Sequence, residues 1–161
     1  MDEITIRTQI KPGDVGYIIY LHGILYAQEF GFDSTFEAYV AGPLSEFIND
    51  FDPQKDCLWV AESAGRIVGS IAIVGKPDNI AQLRWYLVHP DVRGRGLGRR
   101  LLTAAVDFCR ERAFKSVFLL TVQELETAGY LYQSTGFQKT ESKRQEMWGV
   151  TLTDERYEMT L

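Results

Sequence analysis

The chain has 161 residues, 45% of them hydrophobic, and a net charge of -5 at pH 7. That length bounds it to one domain, residues 1–161, with room for a real core. A pI near 5.1 speaks against general affinity for nucleic acid, which needs a broad basic face. Two cysteines, Cys57 and Cys109, have neither metal-site spacing nor a disulfide framework, and they suit a reducing cytoplasm. No metal is expected. Asp2 and Glu3 stand where a signal peptide would be basic. No apolar run approaches the ~20 residues needed to span a bilayer, so no membrane partner is expected.

Ile4 to Ile10 alternates apolar and polar residues, the pattern of a half-buried strand. After the Pro12-Gly13 turn, Asp14 can cap a helix in which Val15, Ile18, Ile19, His22, Tyr26 and Glu29 recur at helical spacing. Gly31 ends it. A second helix follows Ser34, with Phe36, Val40, Leu44 and Phe47 on one stripe, and Gly42-Pro43 is expected to break or kink it. Cys57 to Glu62 and Arg66 to Val74 read as a hairpin around Ser63-Ala64-Gly65. Ala81 to Val88 is a fourth strand.

A third helix opens at Leu97, with Leu101, Ala105, Phe108 and Cys109 on its inner stripe. Ser116 to Val122 is a strand with the apolar run Val117 to Leu120 and is expected to be central and buried. Leu125, Ala128 and Leu131 mark a fourth helix that ends at Gly136. Phe137 to Arg144 and Arg156 to Leu161 close the chain as strands. The order βααβββαβαββ implies an α/β domain with a mixed sheet of about seven strands and four helices on its two faces.

Residues Arg93 to Arg100 read Arg-Gly-Arg-Gly-Leu-Gly-Arg-Arg, a concentration of basic charge against an acidic background. A strand, a glycine-rich turn and a helix start together make an anion site, because the first N–H groups of a helix lack internal partners and its dipole favours negative charge. A phosphate or pyrophosphate ligand is expected. The P-loop pattern fails, since Arg99 and Arg100 follow Gly98 where Lys and Ser/Thr are required. The dinucleotide pattern Gly-x-Gly-x-x-Gly fails on spacing, with glycines at 94, 96 and 98. A third pattern, Gln/Arg-x-x-Gly-x-Gly/Ala after a strand ending Val-x-Pro, is met by Arg93, Gly96 and Gly98 with Val88 and Pro90. The competing reading is a flexible basic loop or an arginine-glycine patch that touches nucleic acid.

That third pattern resembles the acetyl-CoA pyrophosphate loop of the GNAT superfamily of acyltransferases. A second segment is similar to the same superfamily: Ala128 to Phe137 matches Ala-x-x-x-Tyr-x-x-x-Gly-Phe through Ala128, Tyr132, Gly136 and Phe137. The two motifs stand in the expected order with a helix and a strand between them. The stretch Tyr26 to Asp33, with Glu124-Leu125, further resembles the acetyltransferase half of bacterial MarR–GNAT fusions. The chain begins at the first strand, so a stand-alone enzyme without operator binding is expected.

The resemblance implies a GNAT fold and an acetyl-CoA-dependent N-acetyltransferase of the cytoplasm, acting on a small-molecule or peptide amine, with a homodimer among its possible states. It implies that backbone groups of Tyr86, Leu87 and Val88 pair with the pantetheine arm of the co-substrate. The pyrophosphate would lie over Gly94, Arg95, Gly96, Leu97, Gly98 and Arg99, beside Arg93. Many relatives carry Asn where this chain has Leu125, and Thr121 or Gln123 could supply that contact.

Acyl transfer needs a proton acceptor for the amine, a donor for the oxyanion and an acid for the leaving thiolate. Val88 N–H is the expected oxyanion donor and Tyr132 the expected acid. His22, Tyr26 and Glu29 share one face of the first helix, with Glu29 the candidate base and His22 and Tyr26 facing the acceptor. Glu62 and His89 are alternative bases, His89 being the more ordinary loop residue. Alternation places Arg84 on the sheet face of Tyr86 and Val88, where it either binds a carboxylate of the acceptor or sits in an internal ion pair. Trp59, Trp85 and Trp148 are expected to pack. The alternative functions are an acyl-CoA-binding sensor without catalysis and an acyltransferase using a longer acyl-CoA.

Overall fold

The computed structural model describes residues 2–161, and the elements follow the expected order. β1 (Thr5–Arg7) is shorter than the alternation of its neighbours suggests. Its last residue, Arg7, still pairs with Val60, and its guanidinium reaches both carboxylate oxygens of Asp14, at 2.8 Å each. α1 (Asp14–Phe30) starts there, with Gly13 as its cap and Asp14 as the acid of its first turn. α2 (Ser34–Asn49) is capped by Asp33, whose side chain accepts from Thr35 N at 2.9 Å.

Of the expected break or kink at Gly42-Pro43, the break does not occur: α2 continues through Pro43 as one helix. A helix-interior proline costs about 3 kcal/mol. Val40 and Leu44 flank it and are 2% and 0% exposed, and burying such side chains contributes about 1.5–3 kcal/mol each. The stripe therefore outweighs the proline. Leu44→Ala should lower unfolding free energy by about 2–5 kcal/mol, read as a fall in the urea midpoint at constant slope. A loss below ~1 kcal/mol would show that this stripe does not hold the helix.

The sheet comprises β2 (Cys57–Ser63), β3 (Arg66–Lys76), β4 (Ile80–Val88), β5 (Ser116–Val122), β6 (Gln138–Met147) and β7 (Val150–Thr160) with β1, in the order β1-β2-β3-β4-β5-β7-β6. Among the described residues only the β4–β5 pair is parallel. α1 and α2 cover one face, around Ile18, Leu44, Leu58 and Val60. α3 (Leu97–Glu111) and α4 (Glu126–Thr135) cover the other, around Ile71, Leu101 and Leu119.

Two irregularities open the sheet. First, β4 and β5 pair over only three residues, Ile80 to Gln82 with Ser116 to Phe118, and make no further ladder pairs. Second, β4 bulges at Trp85, whose φ is +51°, where the β3–β4 register shifts between Ser70 and Ala72. The Ser70 hydroxyl donates to Trp85 O at 2.7 Å and holds the bulge. The bulge inverts the alternation. Leu83 packs with the α3 side, yet Trp85 and Leu87 pack with the α1–α2 side and Tyr86 and Val88 return to the α3 side. Arg84 therefore does not share a face with Tyr86 and Val88 as strict alternation requires; it lies on the α1–α2 face.

β5 is central, as expected, but its α1–α2 face is covered only in part: Val122 is buried there at 3% exposure. Leu120 is 49% exposed. The closing strands are longer than their apolar pattern indicates. They join through Trp148-Gly149, both at positive φ, a geometry that suits the twist of a two-residue hairpin. Trp148 then packs on Phe32, Phe36 and Tyr39 at 5.1, 4.8 and 5.3 Å between ring centres. Its carbonyl accepts from Asp33 N at 2.9 Å, which pins the hairpin tip over the start of α2.

Candidate functional site

The divergence of β4 from β5 leaves two cavities that meet end to end. The larger, about 580 Å³, lies between the end of β4, the start of α3 and the start of α4. The smaller, about 330 Å³, lies on the α1–α2 face. Four side chains line both: Tyr26, Tyr86, Leu125 and Tyr132.

The larger cavity has the features of an anion site. Gly96 caps α3 at φ +79°, a left-handed conformation that glycine adopts without strain. A Cβ added at Gly94 or Gly96 would meet nothing within 4 Å, so a ligand has open space against the backbone there. The first intrahelical bond runs from Arg100 N to Gly96 O, which leaves the N–H groups of Leu97, Gly98 and Arg99 unpaired within the helix. A Cβ at Gly98 would come within 3.0 Å of the Tyr86 hydroxyl, so Gly98 permits the close approach of α3 to β4.

Arg93, Gly94, Gly96, Leu97, Gly98 and Arg99 all line this cavity. Arg99 approaches Ser134 Oγ at 3.4 Å. Arg95 does not line it: its guanidinium turns away and donates to Asp2 O at 2.7 Å. Of the β4 backbone, Leu87 pairs with Ser70 and His89 N donates to Val68 O at 2.8 Å. In an antiparallel ladder the alternate residues point the other way, so Tyr86 and Val88 present their N–H and C=O groups to the cleft and Leu87 does not. Leu87 is thus withdrawn from the expected set of pairing residues. Tyr26 OH reaches Tyr86 O at 3.4 Å across this edge.

The face of α1 that carries His22, Tyr26 and Glu29 spans both cavities, with Tyr26 at their junction. His22 lines the smaller one and is 3% exposed. Its Nδ1 faces Ile18 O at 2.8 Å, so Nδ1–H donates there. Burial lowers its pKa from 6.5 to about 4, against the smaller opposing effect of that hydrogen bond. His22 is therefore a neutral wall, not a cation. Between pH 6.5 and 4 the unfolded chain takes a proton that the folded chain refuses. The stability held above pH 6.5 is lost as pH falls through that window, up to about 3 kcal/mol. His22→Gln should flatten the stability profile between pH 7 and 4.5 in urea titrations; an unchanged profile would assign the acid loss to other groups.

Glu29 is not in the smaller cavity. It lines the larger one and takes two hydrogen bonds from Arg93, at 3.0 and 2.7 Å. So engaged with Arg93 beside the start of α3, Glu29 does not share a cavity with His22, which corrects the expectation drawn from their common helix face. Glu62 lines neither cavity and is bound to Arg7 on the far edge of the sheet. His89 Nδ1 accepts from Asp91 N at 3.1 Å and caps a short 3₁₀ turn, Pro90–Val92. Of the residues that could replace the usual Asn, Thr121 lines the smaller cavity and Gln123 lines neither.

Tyr132 is 4% exposed and packs against Tyr86, Phe137 and Tyr157. Tyr132 lines both cavities, and its hydroxyl takes part in none of the side-chain hydrogen bonds found among the described residues. Burial, and then the neighbouring tyrosines, push its pKa well above 10, so the phenol stays protonated at neutral pH. Burial likewise raises Tyr26 to about 12.

Arg84 joins none of the ion pairs among the described residues, so no internal ion pair accounts for it. Its guanidinium lies over the ring of Trp85 at 4.8 Å and near that of Tyr39 at 5.8 Å, facing the smaller cavity. The same cavity holds Asp154 of β7, a residue the sequence reading missed. Leu152 and Asp154 alternate inward on that strand, but a strand taken to begin at Arg156 leaves them out. Trp59 packs on Phe108, as expected, whereas Trp85 and Trp148 also wall the smaller cavity.

No helix among the described residues is long and apolar enough to cross a membrane, and no group of three or more metal-ligating side chains is found among them. By sequence the chain is 40% identical to N-acetyltransferase family 8 member 3 of Rattus norvegicus over 89 residues, 52% of this chain and 39% of that protein. It is 32% identical to the uncharacterized N-acetyltransferase YjgM of Escherichia coli K12, over 68% of each chain. The chain thus spans well under half of the mammalian relative. By fold it is similar to an acetyltransferase of the GNAT family from Staphylococcus aureus Mu50, with TM-score 0.74, 21% identity and 99% of both chains covered. It is similar also to yncA of Salmonella typhimurium, solved with its cofactor acetyl-CoA, with TM-score 0.73, 22% identity and 98% and 94% covered. Residues 24–137 match the pattern of the acetyltransferase (GNAT) family, and with the seven-stranded sheet and the loop at α3 they make this chain a member of that family.

Proposed function

We propose that this chain transfers an acetyl group from acetyl-CoA to a primary amine by direct attack in a ternary complex. The observation that carries this reading is the meeting of two cavities at Tyr26, Tyr86, Leu125 and Tyr132. One has the walls of a phosphate site and the other the charged and aromatic walls of an acceptor site. Direct transfer is favoured over a covalent relay because burial raises Cys57 to about 11 and Cys109 to about 12, which suppresses the thiolates.

The residues present fit acetyl-CoA. The N–H groups of Leu97, Gly98 and Arg99 and the open faces of Gly94 and Gly96 receive the pyrophosphate, with the Arg93 and Arg99 guanidinium groups beside it. Anionic phosphates compete with Glu29 for Arg93. Tyr86 and Val88 offer backbone groups to the pantetheine arm as an added strand would. Val88 N–H donates to the thioester oxygen as negative charge develops there. Tyr132 donates its phenolic proton to the departing sulfur. This site serves a small-molecule or peptide amine and needs neither nucleic acid nor metal.

An acetyl-CoA-dependent screen of pooled amines, read by thiol release, tests the reading. Release that requires both a given amine and acetyl-CoA is the expected result. Tight acetyl-CoA binding without turnover on any amine would overturn it in favour of a sensor, and turnover with only longer acyl-CoA thioesters would reassign the donor.

A further inference from the structure

Arg84 and Asp154 bear opposite charges in one small cavity, yet they do not pair with each other. They stand on β4 and β7 with β5 between them, both on the α1–α2 face of the sheet. Asp154 is opposite Val122, near the end of β5 where the two cavities join. Counting in step from the Gln82–Phe118 pair, Arg84 lies about one pleat, roughly 6–7 Å along the strand, farther from that junction. Gln145 Nε2 donates to Asp154 at 2.9 Å and fixes the carboxylate. Phe36, Tyr39, Met147 and Trp148 form an apolar roof. A cavity of 330 Å³ is at the small end of ligand sites, which span about 300–1,000 Å³.

We infer that the acceptor is a zwitterion, an α-amino acid with an apolar or aromatic side chain, whose carboxylate binds Arg84 and whose ammonium binds Asp154 beside the thioester. This rests on the acetyl-transfer reading above and names its substrate class. An Arg guanidinium takes a carboxylate through two parallel N–H···O bonds, which suits a free main-chain carboxylate. The polarity is the useful one: the carboxylate is held away from the junction and the nitrogen is held toward it. The roof takes the side chain.

Asp154 also disposes of the amine proton. Its carboxylate takes one proton from the ammonium, and the freed nitrogen lone pair forms the new C–N bond at the thioester carbon. The C–S bond breaks, and the departing sulfur takes a proton from Tyr132. The second proton lost by the nitrogen restores the phenol, and the proton on Asp154 passes to solvent. The net products are the N-acetyl amino acid, CoA thiol and one proton. Desolvation raises the pKa of Asp154, which makes it a better proton acceptor than an exposed carboxylate. The charged groups around it are Lys143 and Glu141 of β6, Arg156 on its own strand and Arg84 across the cavity.

The test compares L-phenylalanine and L-leucine with their amides, which keep the amine and lose the carboxylate. The wild type should show kcat/KM at least tenfold higher for the free amino acids. Arg84→Met should raise KM for them tenfold or more and change KM for the amides far less, so that the preference for the free amino acids collapses; Arg84→Lys, which keeps the charge without the fork, should fall between. Asp154→Asn should lower kcat for both and recover activity as pH rises and the amine deprotonates unaided. Acetyl-CoA affinity by calorimetry should be unchanged in every variant, which separates these effects from misfolding. Equal use of amino acids and amides by the wild type would overturn the inference without needing any variant, as would turnover with polyamines or monoamines alone. An Asp154→Asn enzyme with wild-type kcat and pH profile would remove the base. No turnover with any amine would instead overturn the acetyl-transfer reading itself.

Discussion

Tyr132→Phe is expected to lower kcat by ~10²–10⁴-fold and to leave acetyl-CoA affinity nearly unchanged, the range that general acid catalysis contributes. The substitution removes one hydroxyl and keeps the ring, so the contacts with Tyr86, Phe137 and Tyr157, at 5.9, 5.9 and 5.6 Å between ring centres, survive. Packing loss therefore cannot account for a fall of that size. The competent form of the acid is the protonated one, and burial raises its pKa above 10. The wild-type rate should hold through neutral and mildly alkaline pH and decline only above pH 10, a limb that the variant lacks. Solvent replaces part of the acid, so some activity remains. A variant with wild-type kcat, with chemistry shown to limit the rate, would exclude Tyr132 from the proton transfer.

Gly96→Asp should weaken acetyl-CoA binding a hundredfold or more, about 3 kcal/mol, with the fold retained. The fold tolerates the change for two reasons. An added Cβ at Gly96 meets nothing within 4 Å, and Asp is among the residues that accept a left-handed φ such as +79°. An acidic group at a helix start is also favourable in itself. What the change opposes is an anionic ligand. Two like charges about 4 Å apart at an effective dielectric near 20 repel by about 4 kcal/mol. Calorimetric titration reads the effect, and an affinity within twofold of the wild type would remove the pyrophosphate from this loop. Together the two variants separate binding from chemistry: one should lose affinity, the other rate.

The element order and the loop from Arg93 to Arg99 were legible because each rests on local chemistry. Apolar periodicity sets which stretches become helix or strand, and glycines beside a helix start announce an anion site whatever surrounds them. Tyr132 was singled out by resemblance, through a family motif that runs along α4 and ends just past it at Phe137. Where local rules misled, a distant contact had overruled them. Pro43 should end a helix by its own geometry, yet the buried Val40 and Leu44 carry the helix through it. The hairpin at Trp148-Gly149 lacks a conventional turn pair, and it is held by packing on Phe32, Phe36 and Tyr39.

The side proposed for the acceptor was decided in three dimensions. Arg84 follows from alternation onto the wrong face, because a bulge at Trp85 inverts the strand, and nothing in the local residues marks a bulge held by Ser70 from a neighbouring strand. Glu29 shares a helix face with His22 and Tyr26 but meets Arg93, 64 residues away, so its partner could not be read from helical spacing. Asp154 is an ordinary acidic residue in sequence. It becomes part of a site only when β7 pairs with β5 and the divergence of β4 leaves a gap beside it. By itself the sequence determined the order of the elements, the glycine-rich turn before α3 and the proposed acid, since each depends on residues that are neighbours along the chain. The tertiary structure alone decided the smaller cavity, proposed above for the acceptor, and the charges that line it, since these depend on where the strands separate and which side chains then face the gap.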